Sequence, residues 1–201
     1  MKEIFKKANK ALKKVKSGQT SVSKSSDVQS FLSQVAATPK RAGIAHLIFA
    51  LDATASREET WDFARQLQTE MFLSARSLGG LNLQLCYFRG FAEFFSSRWE
   101  SNADEIVRIM AGMSCEAGAT QIERVLAHAI SESQVRAVNC VVYIGDAMEE
   151  NVDVLASLSG KLGLLNIPVF MFQERDDPRT RKAFMECARV SGGAYAQFDQ
   201  A

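Results

Sequence analysis

The 201-residue sequence has no apolar run that approaches the length of a membrane span. Its longest apolar stretches, such as LIFAL and IPVFMF, are far shorter than the roughly 18 residues that a transmembrane helix needs. The N-terminus is rich in lysine, but it has neither the apolar segment nor the small-residue cleavage site of a secretory signal. We therefore expect a soluble, cytoplasmic protein without a transmembrane segment.

Cysteine and histidine are few and scattered. The four cysteines have no CxxC spacing, and three lie in or beside apolar segments, where a thiol behaves as a small hydrophobic group. His46 and His128 have no partner at ligand spacing, so we interpret both as structural. The aromatic residues form no regular stripe with basic residues, and we expect no nucleic-acid partner. The composition favours reduced core thiols over disulfides or a zinc site.

The net charge of +1 hides a division of the chain into a basic and an acidic part. Residues 1–41 carry a net charge of +8 and residues 42–201 a net charge of −7. Residues 2–16 place apolar side chains at helical spacing, with lysines on the other face, and the Ser-rich segment SGQTSVSKSS follows. We predict a basic helical arm with a linker over 1–41 and one domain over 42–201. The arm has three candidate docking surfaces: a partner protein, its own acidic domain, and a membrane surface, where attachment should be weak.

From Ile44 onward, apolar runs that are typical of buried strands alternate with amphipathic stretches. The strand candidates are AHLIFALD, LNLQLCYF, NCVVYIGD and IPVFMFQ, and the helix candidates lie near 58–77, 120–133, 149–163 and 178–190. AEFFSS follows CYFRG too closely for a helical crossover, so it predicts an antiparallel edge strand, and AYAQF supplies a last strand. The pattern predicts an α/β fold: a Rossmann-like, doubly wound, mostly parallel six-stranded sheet with one antiparallel edge strand and helices on both faces.

Oxygen-bearing side chains stand where two of these strands end. Asp52 closes the first strand and is followed by Thr54 and Ser56, whereas Asp146 closes NCVVYIGD. Thr120, in the segment CEAGAT, lies at the predicted start of a helix. Ligands of open parallel sheets bind outside the carboxyl ends of the strands, so we expect these five side chains to face one crevice. A set of oxygen ligands without His or Cys suits Mg²⁺ or Mn²⁺ better than zinc.

At these residues the sequence resembles the von Willebrand factor A domain family, of the bacterial cytoplasmic type, and its metal ion-dependent adhesion site. That site has an Asp-x-Ser-x-Ser loop after the first strand, a Thr in a Gly-rich turn and an Asp after a later strand. The resemblance covers about residues 44–199 and implies that Asp52, Thr54 and Ser56 form the first loop, Thr120 the second and Asp146 the third. It also implies a metal-dependent protein–protein interaction module, not an enzyme, whose metal binds an acidic side chain of a partner.

The loops expected beside the metal are rich in acidic residues. We predict a partner-binding rim that includes Arg57, Glu58, Glu149, Glu150 and Glu174. An excess of negative charge attracts cations and repels an isolated carboxylate. A partner should therefore carry basic residues around its acidic anchor.

Two other interpretations of the site stay open. Asp52, Thr54 and Ser56 could simply form a turn whose short polar side chains cap the helix that starts near Glu58, and Thr120 could cap its own helix in the same way. Alternatively, the chain could be a haloacid dehalogenase-like, Mg²⁺-dependent phosphatase with Asp52 as nucleophile, because GDAMEEN resembles the acidic late motif of that class. Those enzymes need a second Asp two residues after the nucleophile, and here that residue is Thr54. We therefore expect binding and no catalysis.

Overall fold

The computed structural model describes residues 44–61 and 81–198. The predicted arm and linker over 1–41, most of the helix predicted near 58–77, and residues 199–201 lie outside these ranges. The strands are β1 (Ala45–Asp52), β2 (Leu81–Arg89), β3 (Glu93–Ser96), β4 (Val138–Gly145), β5 (Val169–Glu174) and β6 (Tyr195–Phe198). The α-helices are α1 (Ala103–Ala111), α2 (Ile122–Val135), α3 (Val152–Leu164) and α4 (Pro178–Ser191), and a 3-10 helix, Ala55–Thr60, follows β1.

The six strands form one sheet in the order β3-β2-β1-β4-β5-β6. Neighbouring strands are parallel, except that β2 and β3 are antiparallel. The chain runs outward from β1 through β2 to the β3 edge and then returns to β4 on the other side of β1. The predicted fold class is therefore confirmed, and the carboxyl ends of β1 and β4 mark the point where strand order reverses.

Two apolar layers cover the two faces of the sheet. Successive side chains of a strand point to opposite faces, so Leu47, Phe49 and Leu51 of β1 join one layer, whereas Ile48 and Ala50 join the other. Helix α1 packs in the first layer, and helices α2, α3 and α4 pack in the second. Because both faces are covered, the strands appear in the sequence as unbroken apolar runs.

Helix α1 is an element that the sequence analysis did not predict. It has nine residues, too few for the long amphipathic pattern that marked the other helices. Its local signals are Asn102, whose side chain accepts a hydrogen bond from Asp104 N, and the apolar pair Ile106 and Met110 at a spacing of four residues. The other three helices begin and end within a few residues of the predicted bounds.

The cysteines and histidines contact other side chains of the fold. All four cysteines are free thiols, and Cys86, Cys140 and Cys187 are buried, as predicted for core thiols. The Nε2 atom of His128 lies 2.9 Å from Gln84 Oε1, and the ring of His46 meets a tryptophan ring edge-on. Within the described ranges, no helix combines the length and apolar character that crossing a bilayer requires.

Candidate functional site

The loop that follows β1 folds back on the carboxylate of Asp52. Its Oδ1 atom accepts a hydrogen bond from Thr54 N at 2.8 Å, and Thr54 Oγ1 lies 3.1 Å from Ser56 Oγ. Asp52 and Thr54 are buried, whereas Ser56 is exposed. The alternating residues of this loop therefore form a line of oxygen atoms that runs from the interior to the surface.

Asp146 joins this line from the neighbouring strand. Ser56 Oγ donates a hydrogen bond to Asp146 Oδ1 at 3.1 Å, although the two residues are 90 positions apart. The contact forms because β1 and β4 are adjacent and parallel, so their carboxyl ends meet at the same edge. On its other side, Asp146 Oδ2 lies 3.7 Å from Nη1 of the half-exposed Arg175. Four of the five predicted ligands are thus linked directly.

Thr120 is attached to this cluster through the loop after Asp146. Its Oγ1 atom accepts a hydrogen bond from Glu149 N at 3.1 Å, and its own N–H donates to the Glu149 carboxylate at 3.2 Å. Glu149 follows Asp146 by three residues, so this reciprocal pair fastens the Thr120 loop to the β4 loop. The structure therefore brings the fifth predicted residue beside the other four without a direct hydrogen bond to them.

A close backbone contact holds the Thr120 loop at the edge of the sheet. Glu116 N donates to Ala53 O at 3.0 Å, and Ala119 N donates to Gly90 O at 3.2 Å. A Cβ atom at Gly118 would lie only 1.8 Å from Gly90 O, so a side chain does not fit there. These contacts join the loops after β1 and β2 to the Thr120 loop.

The second carboxylate oxygen of Asp52, Oδ2, is buried within the cluster. Burial raises the pKa of Asp52 to about 6, although the positive charge of Arg57 and the hydrogen bonds from Thr54 act in the opposite direction. Asp52 Oδ2 is buried and has no hydrogen-bond partner among the residues that the structure describes. A buried carboxylate oxygen without a partner is costly, and a cation removes that cost. The residues present therefore fit a small divalent ion.

The chemistry of the cluster is unlike that of an acidic or His/Cys metal site. In residues 44–61 and 81–198, no three His, Cys, Asp or Glu side chains are grouped to hold a metal ion. The candidate site offers two carboxylates, Asp52 and Asp146, and the hydroxyls of Thr54, Ser56 and Thr120. Because Mg²⁺ keeps several waters and needs few protein ligands, such a set is sufficient for it, and we expect modest affinity.

The capping interpretation is wrong for Thr54 and Thr120. Thr54 precedes the 3-10 helix, but within the described ranges its side chain makes no capping hydrogen bond. Gln121, not Thr120, occupies the N-cap position of α2, and its side chain forms no capping hydrogen bond in the part of the chain that the structure describes. The carboxylate of Glu150 takes this role from another loop, because it accepts hydrogen bonds from the first two N–H groups of α2 at 2.9 and 2.7 Å.

The predicted rim position was wrong for Arg57 and Glu174, because both are buried. Arg57 Nε donates to Glu174 Oε2 at 3.0 Å and Nη2 donates to Oε1 at 2.7 Å, while Nη1 donates to the carbonyl of Asp52. The guanidinium also lies 5.3 Å from the ring centroid of Trp61. A loop Arg and a strand-end Glu are surface residues by default, but a paired guanidinium and carboxylate satisfy each other inside the protein.

The other predicted rim residues lie nearer the surface. Glu58 and Glu149 are exposed and Glu150 is half-buried, although Glu149 and Glu150 also accept backbone hydrogen bonds from the Thr120 loop and α2. Glu116, on the Thr120 loop, is exposed as well. The acidic surface around the site is therefore smaller than predicted, but its sign is unchanged.

The fold of the described domain is found in solved structures of other proteins. No family model and no curated protein matches the sequence. A crystal structure of the SpRpn10 VWA domain is similar, with a TM-score of 0.62 and 9% identity over 77% of this chain and 88% of that chain. The protein has a von Willebrand factor A fold.

Two further solved structures share this von Willebrand factor A fold. The pilus adhesin SpaC from Lactobacillus rhamnosus GG matches with a TM-score of 0.64 and 9% identity, over 81% of this chain and 29% of that chain. Proximal thread matrix protein 1 from the mussel byssus, with a zinc-occupied MIDAS motif, matches with a TM-score of 0.62 and 13% identity, over 78% of this chain and 42% of that chain. At such identities the likeness concerns the fold alone.

Proposed function

We propose that the protein is a metal-dependent protein-interaction module that binds an acidic side chain of a partner through a Mg²⁺ or Mn²⁺ ion. The ligands would be Asp52, Thr54, Ser56, Thr120 and Asp146. The observation that carries the proposal is the buried Oδ2 atom of Asp52, which has no hydrogen-bond partner in the described part of the chain and belongs to a cluster of hydroxyl and carboxylate oxygens. The zinc-occupied MIDAS motif of the mussel protein supports a divalent ion in this fold.

The ligand set explains why a carboxylate from outside would be attracted. Asp52 and Asp146 supply two negative charges, which balance the two positive charges of the ion. The three hydroxyl ligands are neutral, so the ligand set adds no excess negative charge that would repel a further carboxylate. A metal ion with few charged ligands keeps water in its remaining positions. An acidic side chain of a partner would replace one of these waters.

The partner should be basic around its acidic anchor. Glu58, Glu116 and Glu149 are exposed beside the site, so a lone carboxylate meets repulsion as it approaches. Basic residues that flank the anchor would reverse that repulsion and accelerate association at low salt. Four free thiols, three of them buried, are in keeping with the proposed cytoplasmic location.

Titration calorimetry of the full chain with Mg²⁺ and with Mn²⁺ tests the metal site. We expect Asp52→Ala and Asp146→Ala to lose binding, because each removes one of the two charged ligands. Asp153→Ala is the matched control, since Asp153 is an exposed acid in the first turn of α3. Parent-like metal binding by Asp52→Ala would contradict the assignment.

We also propose that the protein is not a phosphatase. The residue two positions after Asp52 is Thr54, whose hydroxyl contacts Ser56 and cannot replace a carboxylate as general acid. Assays with an aryl phosphate and a panel of phosphorylated metabolites should show no turnover above the metal-only background. Metal-dependent turnover that Asp52→Asn abolishes would favour the enzyme over the binding module.

A further inference from the structure

Phe91 lies in the turn between β2 and β3 and is 85% exposed. Among the described residues it is the only aromatic side chain with such exposure, and the other large apolar residues that are exposed are aliphatic except for Met185. Single exposed aliphatic residues are common on protein surfaces. A fully presented aromatic ring is less common, and aromatic residues are enriched in the anchors of protein interfaces.

The turn lies at the same edge of the sheet as the candidate metal site. Phe88 of β2 is paired with Asp52 of β1, and Phe88 O accepts a hydrogen bond from Ala53 N at 2.9 Å. Phe91 follows Phe88 by three residues, and adjacent strands are about 4.8 Å apart. The ring and the metal site therefore fall within the footprint of one ordinary interface, which covers about 800 Å² on each partner.

The backbone on both sides of Phe91 is fixed by the segment that leads from the Thr120 loop into α2. The hydrogen bonds are Ala119 N to Gly90 O at 3.2 Å, Gln121 Nε2 to Arg89 O at 3.3 Å, and Arg124 Nη1 to Ala92 O at 2.7 Å. Gly90 has a φ of 57°, in the left-handed region that favours glycine. The turn is thus held firmly while its ring is left in solvent, and a preorganised anchor loses little conformational entropy on binding.

The charges around the ring indicate what kind of surface would cover it. Arg89, at the base of the turn, is paired with Glu93 at 2.9 Å and lies 3.5 Å from Glu116. The exposed Glu58 and Glu149 lie on the neighbouring loops of the same edge. The exposed Arg124 contacts the other side of the turn, so the ring is an apolar point among charges of both signs, and the exposed glutamates lie in the loops of the candidate metal site.

We propose that Phe91 is the apolar anchor of the partner-binding surface. Its ring packs against apolar side chains of a protein partner whose carboxylate binds at the metal site and whose basic residues face the exposed glutamates. This inference rests on the proposed function. It adds a second contact point, at the tip of a neighbouring turn. Two contact points fix the orientation of a bound partner, whereas the metal site alone fixes only its position.

A selection of short random peptides displayed on phage, carried out on the full chain in Mg²⁺, tests the inference. We expect peptides that combine one acidic residue with apolar and basic residues, and their binding should be lost in EDTA and in Asp52→Ala. Phe91→Ser should weaken them at least about tenfold, as truncation of an interface anchor does, and Phe91→Leu much less. The matched control is Leu164→Ser, which changes a side chain that is 87% exposed at the end of α3, and it should have no effect. The thermal unfolding midpoint of Phe91→Ser should equal that of the parent protein, which shows that the variant is folded.

The outcomes separate this inference from the function on which it rests. Peptides that need Mg²⁺ and Asp52 but bind Phe91→Ser as tightly as the parent would overturn the role of Phe91 and leave the metal site in place. A selection that yields no Mg²⁺-dependent peptide would overturn both. A dimer in sedimentation experiments that Phe91→Ser dissociates would assign the ring to a second copy of the chain and overturn the proposed partner.

Discussion

The guanidinium of Arg57 and the carboxylate of Glu174 form two hydrogen bonds inside the protein, at 3.0 and 2.7 Å, across 117 positions of sequence. Arg57 directly follows Ser56, and Glu174 ends β5, so this pair fastens the candidate metal loop to a strand two places away in the sheet. Burial by itself lowers the pKa of Arg57, but the charges of Glu174 and the nearby aspartates raise it above its ordinary value. The buried side chain therefore stays charged.

Arg57→Met should destabilise the protein by about 3–5 kcal/mol, because it removes the guanidinium that forms two hydrogen bonds to the buried Glu174 carboxylate. Denaturant unfolding followed by circular dichroism measures this loss. The double variant Arg57→Met/Glu174→Leu should recover much of it, since neither charge then remains buried. As a control, Arg189→Met breaks an exposed pair with Glu186 and should change stability very little. An equally small effect of Arg57→Met would contradict the structural role of the buried pair.

Gly118→Ala should both destabilise the protein and weaken Mg²⁺ binding. The added methyl group would meet Gly90 O at 1.8 Å, and the displacement of the loop would move Thr120, two residues later. We expect a loss of about 1–3 kcal/mol, as for other overpacked positions. Gly160→Ala is the matched control: its new methyl group would meet no atom within 4 Å, and alanine in a helix should stabilise by up to about 1 kcal/mol. Unfolding curves and calorimetry of both variants check the prediction.

The variants Thr54→Val and Thr54→Ser distinguish the contribution of the Thr54 hydroxyl to Mg²⁺ binding from that of the side-chain shape. Valine keeps the volume and removes the oxygen that lies 3.1 Å from Ser56 Oγ, whereas serine keeps the oxygen. We expect Thr54→Val to lower Mg²⁺ affinity at least about tenfold and Thr54→Ser to leave it near the parent value. Calorimetry of the two variants gives the comparison. Equal affinities would remove Thr54 from the ligand set.

Deletion of residues 1–26 should leave the domain folded and its metal binding unchanged. The expectation rests on the sequence, in which a basic segment and a Ser-rich stretch precede the alternating strand and helix pattern that begins at Ile44. Circular dichroism, unfolding curves and Mg²⁺ titration of the truncated chain test this division. If the shortened chain fails to fold, the two-part organisation predicted from the sequence is wrong.

The fold was largely predictable because its strands are covered on both faces. A strand buried in this way appears as an unbroken apolar run, and the short connection after CYFRG excluded a helical crossover. Helix α1 escaped prediction because nine residues hold too few turns to show a clear period. Its identity as a helix depends on packing against the sheet as much as on its own sequence.

The sequence by itself determined where the candidate ligands stand. A polar residue that directly follows a buried apolar run must lie at the edge of the sheet, so Asp52 and Asp146 could be placed there without knowledge of any contact. Only the tertiary structure decided which charges remain at the surface. Arg57 and Glu174 are buried because each pairs with the opposite charge of a segment that is distant in sequence, and Glu150 caps a helix that begins on another loop. Such pairings depend on the three-dimensional proximity of distant segments, and they leave no local pattern in the sequence.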